Sequence, residues 1–120
     1  NDNLFGNVHF SPTPDFDMLV KAYNKAKELD YTTHCGQVLS SDQFYSTTPD
    51  YVMENLQKYG VLCVEMEAYG LFTLAKKHGK RGLGIFTISD SLVENIADSA
   101  EARETSYTNM MKLALEIAEE

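Results

Sequence analysis

Positive charge is scarce in this chain. Arg81 and Arg103 are its only arginines and its eight lysines are scattered, against 18 acidic residues and a net charge of −8. A nucleic-acid partner is therefore excluded, because phosphate backbones require clustered Lys and Arg. Tryptophan is absent, and no apolar run approaches the roughly 18 residues that a membrane-spanning helix needs. No signal peptide is visible, so a soluble cytoplasmic protein without a membrane partner is expected. The two cysteines, Cys35 and Cys63, sit in apolar, strand-like contexts. They read as small reduced core residues, not as a disulfide or a metal pair. His9, His34 and His78 are isolated, and no Cys, His or Asp spacing resembles a metal site. Gly79-Lys-Arg-Gly82 lacks the spacing and the following Ser or Thr of a phosphate-binding loop.

What is present suits a single core. At 120 residues the chain forms one domain at most, with ordinary apolar (43%) and charged (23%) fractions for a globular protein. It opens without methionine on a polar stretch, Asn1-Asp-Asn-Leu-Phe-Gly6, which reads as the middle of something longer.

Punctuation residues divide the chain. Thr13-Pro-Asp-Phe16 predicts a helix start, with Thr13 as N-cap and Pro14 in the first turn. Met18, Leu19, Ala22, Tyr23, Ala26 and Leu29 then recur at helical spacing. A β-leaning stretch covers Tyr31 to Leu39, and a loop carrying Phe44 and Tyr45 runs to Thr48. A second helix opens at Thr48-Pro49-Asp50 and stops at Gly60. A strand is expected at 61–65, a helix from about Glu67 to Lys77, and a strand from Gly82 to Ser89. A loop over 90–98 then leads to a final helix over 99–119, with Tyr107, Met110, Met111, Ala114, Ile117 and Ala118 on its inner face. Strands alternating with helices imply an α/β fold with largely parallel pairing. So small a sheet has exposed edges and is expected to continue elsewhere.

The chemistry concentrates at two strand ends. Val61-Leu-Cys-Val-Glu-Met-Glu67 runs an apolar strand into two carboxylates, and Gly84-Ile-Phe-Thr-Ile-Ser-Asp90 ends on a third. In open α/β sheets that rim is where ligands bind. A solvated helix N-terminus explains one of the two glutamates, because the helix dipole favours acids there. Of Glu65 and Glu67, one can reach a ligand while the other points away, and a carboxylate matches a vicinal diol such as the ribose hydroxyls. Asp90 reads either as a turn former or as a general acid. Arg103 lies early in the last helix, a poor place for a cation on dipole grounds, which hints at a partner acid: Asp90, or Glu101 and Glu104 at the surface. Phe44 and Tyr45 offer either a core plug or a wall for a flat heteroaromatic ligand.

Val64-Glu-Met-Glu-Ala-Tyr-Gly70, Thr87-Ile-Ser-Asp90, Ser41-Asp-Gln-Phe-Tyr45 and Ala102-Arg-Glu-Thr105 together resemble bacterial-type, hexameric purine nucleoside phosphorylases, from Asp15 onward. The resemblance implies a three-layer phosphorylase/hydrolase-like α/β fold. Of its mixed sheet and flanking helices, only the C-terminal portion would be encoded here. It implies phosphorolysis of purine nucleosides in purine salvage, with inorganic phosphate as co-substrate and no cofactor or metal. Glu67 would hold the ribose hydroxyls, Met66 would pack on the sugar, and Val64 and Glu65 would lie beside them. Asp90, preceded by Ser89 in the substrate site, would protonate N7 of the departing purine, assisted by Arg103. Phe44 and Tyr45 would line base and sugar. The assembly would be a hexamer built as a trimer of dimers.

Two residues depart from the family pattern: Ser91 stands where histidine is usual, and Tyr69 replaces a small residue. The family's phosphate-binding glycine loop and arginines have no counterpart, so residues 1–120 resemble the C-terminal half of one domain whose N-terminal half is a missing partner. The alternatives are a methylthioadenosine/adenosylhomocysteine-type nucleosidase, which uses water in place of phosphate, and a non-catalytic fragment. Residues 1–120 alone are expected not to catalyse phosphorolysis. Phosphate-dependent cleavage of inosine or adenosine by the purified chain would overturn that expectation.

Overall fold

Helix boundaries in this protein follow from the groups that satisfy their terminal amides and carbonyls. The computed structural model describes residues 2–42, 49–88, 90–91, 96–97 and 100–118; at 2–3, 90–91, 96–97 and 100–106 the description is of the backbone. A single helical turn, α1 (Asp2–Phe5), precedes α2 (Phe16–Glu28). The cap of α2 is Asp15, whose carboxylate accepts from the Met18 amide at 3.0 Å. Thr13, the expected cap, lies too early. Asp15 is extended, with ψ 126°, and its amide donates to the Gly82 carbonyl at 2.8 Å, so the helix begins only at residue 16.

α3 (Asp50–Lys58) starts behind Pro49, and α4 (Ala68–Lys77) follows the glutamate pair. α2, α3 and α4 end alike. The amides of Tyr31, Val61 and Lys80 return to the carbonyls of Ala26, Leu56 and Ala75 at 2.7–2.9 Å, each across a residue in the left-handed region. Gly60 and Gly79 hold that place in α3 and α4, as expected; in α2 it falls to Asp30, with φ 61°. Aspartate is among the few residues with a side chain that visit this region routinely.

The β structure is shorter than the sequence suggests. β1 (Val38–Ser40) pairs in parallel with β2 (Cys63–Glu65), in the register Val38↔Cys63, Leu39↔Val64 and Ser40↔Glu65. With α3 between them they form a βαβ unit, in keeping with an α/β class. Residues 31–37 do not join the ladder, which opens with the Leu62 amide donating to the Gln37 carbonyl at 2.9 Å. Gly36 lies close beside it: a Cβ there would stand 2.9 Å from Leu62 Cδ1, so the half-exposed Leu62 side chain would have to turn aside. Cys35 therefore falls outside the strand and is exposed, while Cys63 is partly buried in β2; both thiols are free.

The expected strand over 82–89 is not formed across its described residues. Residues 82–88 have no ladder partner among the described residues, and Phe86 (41% exposed) and Ile88 (56%) face outward. An apolar β-prone sequence becomes a strand only where a neighbour supplies hydrogen bonds. Pairing appears instead within the expected loop. β3 (Asp90–Ser91) and β4 (Ile96–Ala97) run antiparallel, with Asp90↔Ala97 and Ser91↔Ile96.

Two packing centres carry the core. α2 lies on α5 (Ala100–Ala118), where Ala22, Ala26 and Leu113 are buried and Lys25 pairs with Glu116 at 3.8 Å. The buried stripe of α5 runs through Met110, Leu113 and Ile117, so Leu113 leads a face on which it was not expected. Tyr107, Met111, Ala114 and Ala118 are exposed instead. In the second centre, the buried Phe72 of α4 lies 3.5 Å from where a Cβ on Gly82 or Gly84 would stand. Among the described residues, no helix is long and apolar enough to cross a membrane.

Phe72→Ala should lower stability by about 3 kcal/mol, the usual cost of emptying a buried aromatic site. Leu74→Ala, on the exposed side of α4, should cost under about 0.5 kcal/mol; urea unfolding of the two variants checks the contrast. Burial, and secondarily the Glu65 carboxylate, push the Cys63 thiol above its usual range. Its reactive thiolate therefore forms only at higher pH. Iodoacetamide should label Cys35 before Cys63, and Glu65→Gln should move the Cys63 labelling profile to lower pH.

Candidate functional site

The parallel register brings the last residues of β1 and β2, Ser40 and Glu65, side by side at one rim. β2 stops there because Glu65 turns its side chain back on the chain that follows. Its Oε2 accepts from the amides of Glu67 and Ala68, both at 2.7 Å. Those amides open α4, so Glu65 does the work of a cap from two residues before the cap position. Glu67 occupies that position, with φ −122° and ψ −22°, and its side chain makes no cap bond. Of the two glutamates, Glu65 is thus the one explained by the helix N-terminus, and the exposed Glu67 is the one that can reach outward with the half-exposed Met66.

Glu65 is not fully explained by capping. Its other oxygen, Oε1, is buried and has no hydrogen-bond partner. A buried acceptor without a donor is costly. A donor arriving at this rim, from a ligand hydroxyl or another polar group, would remove that cost. The rim therefore presents the exposed Glu67, while the free oxygen of Glu65 is buried behind it, and the Val64 side chain is also exposed. With its two oxygens, the Glu67 carboxylate can accept from two neighbouring hydroxyls.

Ser40, which sequence reasoning passed over, and Ser41, the first residue of the Ser41–Tyr45 motif, complete the rim. Ser40 Oγ accepts from the Tyr69 amide at 3.2 Å, and the Ser41 amide donates to the Glu65 carbonyl at 2.8 Å. Nothing in linear spacing signals Ser40, which lies 29 residues from its partner. The Tyr69 hydroxyl donates to the Phe10 carbonyl at 3.4 Å, giving this departure from the family pattern a definite anchoring contact.

The remaining predicted residues divide by what is described. Phe44, Tyr45 and Ser89 lie outside the described residues. Asp90 does not end a strand, as expected, but begins one: its backbone stands opposite Ala97, three residues ahead of α5. Arg103 is the fourth residue of α5. No cluster of metal-ligating side chains occurs among the described residues. An open cleft of about 370 Å³ between α2, α5 and the 81–85 segment is lined by Lys21, Arg81, Leu83 and Ile117, among others, and contains none of the motif residues. Its lining mixes charged and apolar residues of packed elements, and the glutamate motif lies elsewhere, at the β1–β2 rim.

Comparison with known proteins gives the family. Residues 5–120 match the Phosphorylase superfamily. A DeoD-type purine nucleoside phosphorylase of Thermoanaerobacter sp. (strain X514) is 47% identical over 119 residues, covering 99% of this chain and 51% of the relative. The DeoD-type enzymes of Clostridium novyi (strain NT) and Bacillus subtilis (strain 168) are 45% and 44% identical over 119 and 115 residues. The chain spans about half the length of the curated relatives it matches. With a parallel strand pair ending on the glutamate rim and a family match across nearly its whole length, this chain belongs to the Phosphorylase superfamily.

Proposed function

We propose that this chain supplies the nucleoside side of a purine nucleoside phosphorylase. The reaction cleaves a purine ribo- or deoxyribonucleoside to free base and (deoxy)ribose 1-phosphate, in purine salvage. A phosphate oxygen attacks C1′ as the bond from C1′ to N9 breaks, and the electron pair that enters the purine is balanced by a proton at N7. The observation that carries this reading is the division of labour between the glutamates. Glu65 spends one oxygen on the α4 amides, which leaves Glu67 exposed at the rim as acceptor for the ribose hydroxyls.

The other roles extend from there. Met66 packs on the sugar, and Val64 and Glu65 flank it. Phe44, Tyr45 and Ser89 belong to the base and sugar walls. Asp90 delivers the proton to N7, with Arg103 as its cationic partner; the backbone placement of β3 ahead of α5 supports that pairing. An ordinary aspartate is protonated in only about one molecule in a thousand at pH 7. Transfer is therefore completed by the basicity that N7 gains as the glycosidic bond breaks. Inorganic phosphate is the co-substrate, with no cofactor, and it is held by the N-terminal half of the same domain, of which residues 1–120 form the C-terminal half. The assembly is a cytoplasmic hexamer, a trimer of dimers.

Phosphate dependence tests the reading. The complete protein should cleave inosine or adenosine only when phosphate is present; equal cleavage in water would make it a nucleosidase. Asp90→Ala should lower kcat by about 10²–10⁴-fold, the usual share of a general acid, while substrate binding changes little. An unchanged rate on ordinary purine nucleosides would remove Asp90 from the mechanism.

A further inference from the structure

We propose that Ser40 is a positioning residue for the Glu67 carboxylate, an assignment that rests on the role given to Glu67 above. α4 has no cap side chain of its own, since Glu67 occupies the cap position without a side-chain bond. Its opening amides are satisfied from outside the helix. Glu65 Oε2 takes those of Glu67 and Ala68, and Ser40 Oγ takes that of Tyr69. The Met66–Glu67 turn is therefore suspended between two fixed points, the end of β2 and the Tyr69 amide.

Both points are held firmly. Ser40 is locked by the ladder opposite Glu65, and the neighbouring Ser41 amide donates to the Glu65 carbonyl. Tyr69 is held three ways. Its amide donates to Ser40, its carbonyl accepts from Thr73 Oγ1 at 2.6 Å, and its hydroxyl reaches the Phe10 carbonyl. Of these contacts, only the Ser40 hydroxyl ties the start of α4 to β1. Removing it leaves the Tyr69 amide unpaired and the turn fastened from the β2 side alone, so the direction in which Glu67 projects is no longer fixed. The hydroxyl itself need not touch substrate. Ser40 thus acts through Glu67, and its influence should fall on the part of a nucleoside that Glu67 contacts.

Two measurements decide the matter. In the 120-residue chain, Ser40→Ala should speed hydrogen exchange of the Tyr69 amide by about fivefold, the effect of one ordinary hydrogen bond. Ser40→Thr should restore protection. In the complete protein, Ser40→Ala should raise KM for inosine by about fivefold, on the same scale, with kcat little changed. KM for 2′,3′-dideoxyinosine should stay as in the wild type, and Ser40→Thr should recover the inosine value. Unchanged Tyr69 exchange would overturn the proposal, as would equal losses on both nucleosides or faster exchange with no change in KM. If the wild-type protein shows no phosphate-dependent cleavage, the phosphorylase reading and the positioning role fall with it. The exchange measurement would still report whether Ser40 holds α4.

Discussion

One carboxylate oxygen turns a strand into a helix in this protein. Glu65 Oε2, accepting from two successive amides at 2.7 Å, ends β2 and begins α4 in the same contact. A negative group at the start of a helix is favoured by both the unpaired amides and the helix dipole. The geometry follows from that contact. β2 cannot continue past Glu65, Met66 and Glu67 are thrown outward, and α4 is aimed so that Phe72 reaches Gly82 and Gly84. Those glycines belong to a segment whose Gly82 carbonyl accepts from Asp15 at the head of α2. From one acid, a continuous chain of contacts reaches the second packing centre.

The arrangement also separates holding from reaching. Sequence alone presents Glu65 and Glu67 as equivalent acids flanking a methionine. In the fold they differ: one has an oxygen engaged by backbone amides and the other oxygen buried, while its neighbour stands exposed at the rim. A ligand at the rim therefore meets Glu67, whose position depends on the turn that Glu65 holds. A contact residue fixed by the hydrogen bonds behind it is how a site holds the geometry that chemistry requires.

Local signals were legible where a single residue decides the outcome. Gly60 and Gly79 end their helices because the left-handed position favours glycine, and the apolar spacing of α2 places Ala22 and Ala26 inward. Signals that depend on distant partners were not. Thr13 and Asp15 are both competent caps, and the choice is made by the Gly82 carbonyl. Residues 82–88 carry a strand-like sequence but have no ladder partner among the described residues, whereas Asp90 and Ser91 pair within a stretch that reads as loop. At the rim, the glutamates and the methionine between them stood out as unexplained by core packing. Ser40 did not, because a serine at a strand end looks ordinary until its partner 29 residues away is known.

That long span between Ser40 and Tyr69 bears on the order in which the molecule assembles. A helix whose opening amides are satisfied by its own neighbouring residues can form early and alone. α4 is so served at two amides, by Glu65, but its Tyr69 amide finds its protein acceptor only after β1 and β2 have aligned. Bringing the ends of the intervening chain together costs entropy that grows slowly with its length. The first helical turn then repays part of that cost by completing its own cap. Closure of the βαβ unit and completion of the α4 cap are therefore coupled, since the rim gains its last hydrogen bond only where the two strands are joined.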